Sequence, residues 1–249
     1  MIRRQRSSFV PLLGAALCGM LWLSGCATSA PAGLQSGADP SQAAELNVTM
    51  GLEYMQKGNL PRARRKLDKA LSIAPDDPDA LQASALLYQR QGEPELARRF
   101  FKRALDVAPD FTRGRNNYAA FLYARGETAA ACDQLERATQ DIHYDNRAQL
   151  FTNLGRCQRR LGRADAALQS LNKAQTIDPR YAPSYLALAG ALHDQGEDTR
   201  AWEALQRFIR LAGTTPESLR LAEQIASARG DAATAAFYSR QLNASRRDP

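Results

Sequence analysis

One pattern limits this chain more than any other: residues 44–77 and 78–111 carry the same arrangement of small and large residues, offset by 34 positions. Gly51, Tyr54, Gly58, Ala63, Leu67, Ala70 and Pro75 answer Ala85, Tyr88, Gly92, Ala97, Phe101, Ala104 and Pro109. Within 78–111 the apolar residues Leu81, Ala85, Leu86 and Tyr88 have helical rather than alternating spacing. Gly92 and Pro94 then break the pattern, and Leu96, Ala97, Phe101, Ala104, Leu105 and Val107 form a second apolar face that stops at Pro109. Neither helix could bury its apolar side alone, so each unit has to stack on the next.

That period, with two helices per unit, is the mark of the tetratricopeptide repeat (TPR). The expected fold is all-α, a right-handed α-solenoid of about six repeats at 44–77, 78–111, 112–145, 148–181, 182–215 and 216–245. Asp77 before Pro78 predicts an N-cap followed by proline in the first turn. Repeat three has His143 where the closing proline belongs, and Asn146 and Arg147 are extra. Repeat five has Phe208 at a normally small position and Gly213 in place of its proline. The last repeat keeps Leu219, Ala222, Gly230, Ala235 and Leu242 but has Glu223 and Ser239 at usually apolar places, as expected where one face meets water.

The first residues predict export. Arg3, Arg4 and Arg6 precede an apolar run from Phe9 to Leu23, too short to span a bilayer comfortably. It ends in Leu23-Ser24-Gly25-Cys26, which resembles a bacterial lipobox. Residues 1–25 are therefore read as a lipoprotein signal peptide and Cys26 as the lipidation site; the alternative is a plain secretory signal with a coincidental cysteine. Ala27 and Thr28 follow, not aspartate, which by resemblance to enteric lipoproteins favours the outer membrane. Residues 26–43 are read as the lipidated cysteine and a flexible tether, small, polar and proline-broken, with a reach of about 20–25 Å. The formal charge is +7, but three of the arginines leave with the signal peptide, and a mildly basic exported chain argues against nucleic acid as partner.

Little in the chain could carry catalysis. The two histidines, His143 and His193, have no partner at metal-ligand spacing and read as ordinary surface residues. There is no phosphate loop and no nucleophile motif. No enzyme, no metal, no cofactor and no small-molecule substrate is expected. Cys132 and Cys157 fall on neighbouring helices of repeats three and four in an oxidising compartment, which predicts a disulfide; the other reading is two small buried residues.

In such arrays the first helix of each repeat lines the concave side, at repeat positions 2, 5, 9, 12 and 13. Those positions name a candidate partner groove: Val48, Leu52 and Met55; Gln82, Leu86, Gln89 and Arg90; Asn116, Ala120 and Tyr123; Thr152, Arg156, Arg159 and Arg160. Asn116 could bond the backbone of an extended peptide. The apolar stripe of repeat one reads either as a contact site or as packing beneath the tether, and the arginines either as part of the groove or as a solvated face.

The run Asn116-Asn117-Tyr118-Ala119-Ala120-Phe121-Leu122-Tyr123-Ala124-Arg125-Gly126 goes beyond the generic repeat. With the lipobox and six repeats, it resembles the type IV pilus biogenesis lipoproteins of the PilF/PilW type, the secretin pilotins. Their usual form is close to Asn-Asn-Tyr-Gly-x-Phe-Leu, with Ala119 here at the glycine. The resemblance implies a lipid-anchored protein on the periplasmic face of the outer membrane that binds the secretin subunit and promotes its localisation and multimerisation. A TPR lipoprotein adaptor for outer-membrane protein assembly, peptidoglycan synthesis or polysaccharide export is the alternative.

Overall fold

A computed structural model describes residues 39–245; the signal peptide at 1–25, Cys26, the tether up to residue 38 and the tail from 246 lie outside the described residues. Among the described residues the chain forms twelve α-helices and no strand, arranged as six hairpins. They are α1 (Pro40–Gln56) with α2 (Leu60–Ile73), α3 (Pro78–Arg90) with α4 (Pro94–Val107), and α5 (Thr112–Ala124) with α6 (Thr128–Ala138). Then come α7 (Arg147–Arg160) with α8 (Ala164–Ile177), α9 (Ala182–Asp194) with α10 (Asp198–Ala212), and α11 (Pro216–Ala228) with α12 (Ala232–Ser245). Each hairpin packs on the next, which makes an all-α solenoid.

Local chemistry explains the breaks. At Gly92 the chain turns with φ 76°, a conformation open to glycine, while the Glu93 N–H donates to the Tyr88 carbonyl at 2.9 Å to close the end of α3. Asp77 caps α3 by accepting from the Asp79 and Ala80 N–H groups at 2.8 and 3.0 Å, with Pro78 opening the helix. The loop after α6, which lacks the closing proline, is held by Asp141 instead. Its carboxylate accepts from Thr112 Oγ1 at 2.6 Å and the His143 N–H at 3.0 Å, and these bonds hold it below the ordinary carboxylate range.

The folded part starts earlier than the sequence suggests. Residues 40–43, read as tether, are the first turn of α1, because the Asp39 side chain accepts from the Ser41 N–H at 3.0 Å and Pro40 supplies a preset φ. The other end is thin: α12 buries only Leu242 and leaves Phe237 exposed, as a water-facing terminal helix must.

The small–large pattern is a packing code. Gly51 lies against Leu67, and a Cβ there would come within 2.7 Å of its Cδ2; at Gly155 a Cβ would come within 2.5 Å of Leu171 Cγ. Repeats two, three and five carry Ala85, Ala119 and Ala189 at this place, all buried. Gly155→Ala is therefore expected to lower stability by about 1–3 kcal/mol, because Leu171 is fully buried and cannot swing aside. Urea unfolding would read this as a lower midpoint at unchanged slope.

Repeats are also tied across their edges. Arg98 of α4 grips Glu127 ahead of α6 with two bonds of 2.5 and 2.9 Å, which raises the guanidinium pKa and holds the Glu127 carboxyl low. Cys132 of α6 and Cys157 of α7 form a disulfide with their Cα atoms 5.6 Å apart, both fully buried.

Candidate functional site

The first helices of the hairpins stack on one another, α1 on α3, α3 on α5, α7 on α9 and α9 on α11. Between α5 and α7 this packing lapses. The lengthened loop Thr139–Asn146 falls there; the backbone of α7 lies close to α6, to which the disulfide ties it, and meets α5 through side chains. The gap opens the inner face. Ala119, Ala120, Tyr123, Leu135, Asn153 and Arg156 surround a small cavity of about 150 Å³ in it. Beside it, Tyr123, Arg156, Arg159 and Arg160 line a larger one of about 560 Å³ with residues of α9 and α11.

Repeat one differs from its sequence reading. Val48 and Met55 are only 7% and 3% exposed, packed with Ala63, Leu67, Ala80, Ala83 and Leu87, so they are core and not an open stripe. The cause is α3: its small Ala80 and Ala83 let α1 lie close, and the apolar residues leave water. Leu52 alone of the three stays half-exposed. It borders a cavity of about 180 Å³ with Val48, Ala83, Gln82, Asp79 and Arg113. Gln82 is 7% exposed, and its Oε1 has no hydrogen-bond partner, an acceptor left open at the edge of this cavity.

Three further groove candidates serve the stack itself. Arg90 donates Nη1 to the Met55 carbonyl at 2.5 Å, capping the end of α1, where a cation is favoured. Asn116 is buried and its Oδ1 accepts from Asn153 Nδ2 at 2.9 Å, which occupies it as a bridge between α5 and α7 and leaves that oxygen unavailable to a peptide. Thr152, 1% exposed, donates Oγ1 to the Ala148 carbonyl of its own helix at 2.7 Å. Leu86 is half-buried and Gln89 exposed. His193 is no ordinary surface residue either. It is half-buried with Nδ1 2.5 Å from Asp198 Oδ1, because the turn after α9 folds the start of α10 back over it. His143 is exposed.

The arginines are arranged by their neighbours. Arg159 donates Nε to Asp194 Oδ2 at 2.6 Å, and its guanidinium lies over Gly190, where a Cβ would sit 2.5 Å from Nη1. Arg160 stacks over the Tyr123 ring at 4.9 Å. The sequence reading stopped at repeat four and missed the opposite wall. Of the ten residues at the same five positions in repeats five and six, Leu186, Gly190, Asp194, Glu217, Arg220 and Gln224 line the larger cavity, whereas Pro183, His193, Ser227 and Ala228 do not.

The comparisons with known proteins agree with this architecture. The tetratricopeptide-repeat family matches residues 54–113 and 148–181. The type IV pilus assembly protein PilF of Pseudomonas aeruginosa is 32% identical over 223 residues, 88% of each chain. The chain belongs to the PilF/PilW family. It is a type IV pilus biogenesis protein built of tetratricopeptide repeats. The solved structure of PilF from Pseudomonas aeruginosa superposes with a TM-score of 0.75 at 30% identity, covering 84% of this chain and 95% of that one. PilW, described as a widely conserved type IV pilus biogenesis factor, superposes with a TM-score of 0.77 at 25% identity over 84% and 96%. MamA, at 20% identity and a TM-score of 0.56, shares the fold alone.

Proposed function

We propose that this PilF/PilW-family chain is a non-enzymatic pilotin, a lipoprotein anchored through Cys26 to the periplasmic face of the outer membrane. It holds a segment of the type IV pilus secretin subunit and promotes that subunit's localisation and multimerisation. The observation that carries this reading is the coincidence of a lipobox at 23–26 with a solenoid related to PilF along 88% of its length. The inner face supports it physically. Leu52 offers apolar surface beside the open Gln82 acceptor, the pair of features that an extended segment with one apolar side chain and a free backbone N–H would meet.

The test is co-purification from detergent-solubilised envelopes with the natively lipidated protein, followed by mass spectrometry. A secretin as dominant partner is the expected result. A barrel-assembly or cell-wall protein in its place would move the chain to another envelope machine. In the same assay Leu52→Asp is expected to cut secretin recovery at least about tenfold, since it replaces the exposed apolar contact of the site with a charge, with helicity unchanged by circular dichroism. Full recovery with Leu52→Asp would remove repeat one from the binding site.

A further inference from the structure

The larger cavity on the inner face differs in charge from the cavity of repeat one, where Glu45, Asp77 and Asp79 outnumber the single arginine, Arg113, which is paired with Asp79. Of the four arginines at its edge, only Arg159 has a carboxylate partner. Arg156, Arg160 and Arg220 have none among the described residues. Glu217 is the one other acidic residue of the lining, so the cavity carries uncompensated positive charge. Leu186, Ala187 and Leu221 give it apolar wall as well. A free guanidinium in a concave, partly dry setting is a strong donor to carboxylate oxygens, and bidentate geometry favours that ligand.

Spacing narrows the ligand. Arg156 and Arg160 are one turn apart on α7, a rise of about 6 Å. In an extended chain, side chains two residues apart on one face are about 6.6–6.8 Å apart. We propose that this cavity is a docking site for an extended acidic segment of a partner protein, with carboxylates at alternate residues on one face of the segment meeting Arg156 and Arg160, an intervening apolar side chain on its other face against Leu186 or Leu221, and Arg220 adding to the attraction. Arg159 is held to Asp194, and Arg160 is steadied on Tyr123, so part of the donor array is ordered before the ligand arrives. The site rests on the inner face being the partner-binding face, as proposed above, but not on the partner being a secretin.

The probe is a fluorescein-labelled Leu-Glu-Leu-Glu-Leu peptide, followed by fluorescence anisotropy with the full-length protein in detergent micelles. Saturable binding is expected, weakening as salt rises from about 0.05 to about 0.5 M. Arg156→Gln with Arg220→Gln is expected to weaken it at least about tenfold, since a charge-assisted contact and a second attracting charge are lost. Neither residue makes an ion pair, so helicity by circular dichroism should hold. Arg65→Gln with Arg99→Gln removes the same charge from exposed sites on α2 and α4 and should leave binding as it was.

Equal binding of Leu-Gln-Leu-Gln-Leu, equal loss in both double variants, or no binding of the acidic peptide would overturn the proposal. Displacement of the peptide by phosphatidylglycerol in the micelles, at lower concentration than by unlabelled peptide, would overturn it in favour of a lipid phosphate. A chain that binds the peptide yet captures no secretin would leave this site standing and sink the pilotin reading; secretin capture without peptide binding would do the reverse.

Discussion

Phe101→Ala is expected to lower the unfolding free energy by about 3–5 kcal/mol, the range for emptying a buried aromatic site. Phe101 is 1% exposed on α4, with its ring centroid 5.4 Å from that of Tyr118 and 5.5 Å from that of Phe121, both on α5. The side chain thus serves its own hairpin and the next one at once. In a solenoid each repeat is stabilised by its neighbours, so a hole at such an interface weakens both sides. Urea unfolding followed by circular dichroism measures the loss. A change under about 1 kcal/mol would mean that Tyr118 and Phe121 close over the vacancy, and would contradict the wedged position assigned to this ring.

Reduction of the Cys132–Cys157 disulfide is the second large effect, expected to remove about 3 kcal/mol. The two residues are 25 apart in sequence, so the bond closes a loop of moderate length in the unfolded chain. Its position adds a consequence that loop length alone does not. The disulfide joins α6 to α7 at the junction where α5 and α7 meet through side chains but their backbones approach least, so it compensates for the weakest contact between first helices. Reduced protein is accordingly expected to unfold in two steps in urea, with repeats four to six separating from repeats one to three, whereas oxidised protein unfolds in one. Coincident single transitions in both states would show that the junction does not depend on the bond.

The helices were legible because their signals are local. Apolar spacing, Gly92 between two helices and Asp77 ahead of Pro78 act within a turn or two of chain, and the structure has α3 and α4 at those places. The start of α1 was misjudged for the opposite reason: 40–43 looks like linker by composition, and one capping aspartate, Asp39, outweighs that. The groove was legible as a set of repeat positions, and those positions continued into repeats five and six identify the wall that completes the larger cavity. Which of them face open space was not legible. Val48, Gln82, Asn116 and Thr152, at the fifth position of their repeats, are buried, whereas Leu52, Leu86, Ala120 and Arg156, at the ninth, keep exposed surface.

The sequence by itself determined the repeat, the hairpin and the order of the hairpins along the chain, since a period of 34 residues and its turn chemistry are written within each unit. Only the tertiary structure decided what the inner face presents. Burial there depends on the distance between helices far apart in sequence: α3 closes over Val48 and Met55 because Ala80 and Ala83 let it approach. The loop after α6 separates α5 from α7 and opens the gap beside Arg156. The direction of a long side chain depends on its surroundings in the same way. Arg159 lies across α9 because residue 190 is glycine, and Arg160 turns to the Tyr123 ring, so the charge of the cavity is a property of packing between repeats and not of any one of them.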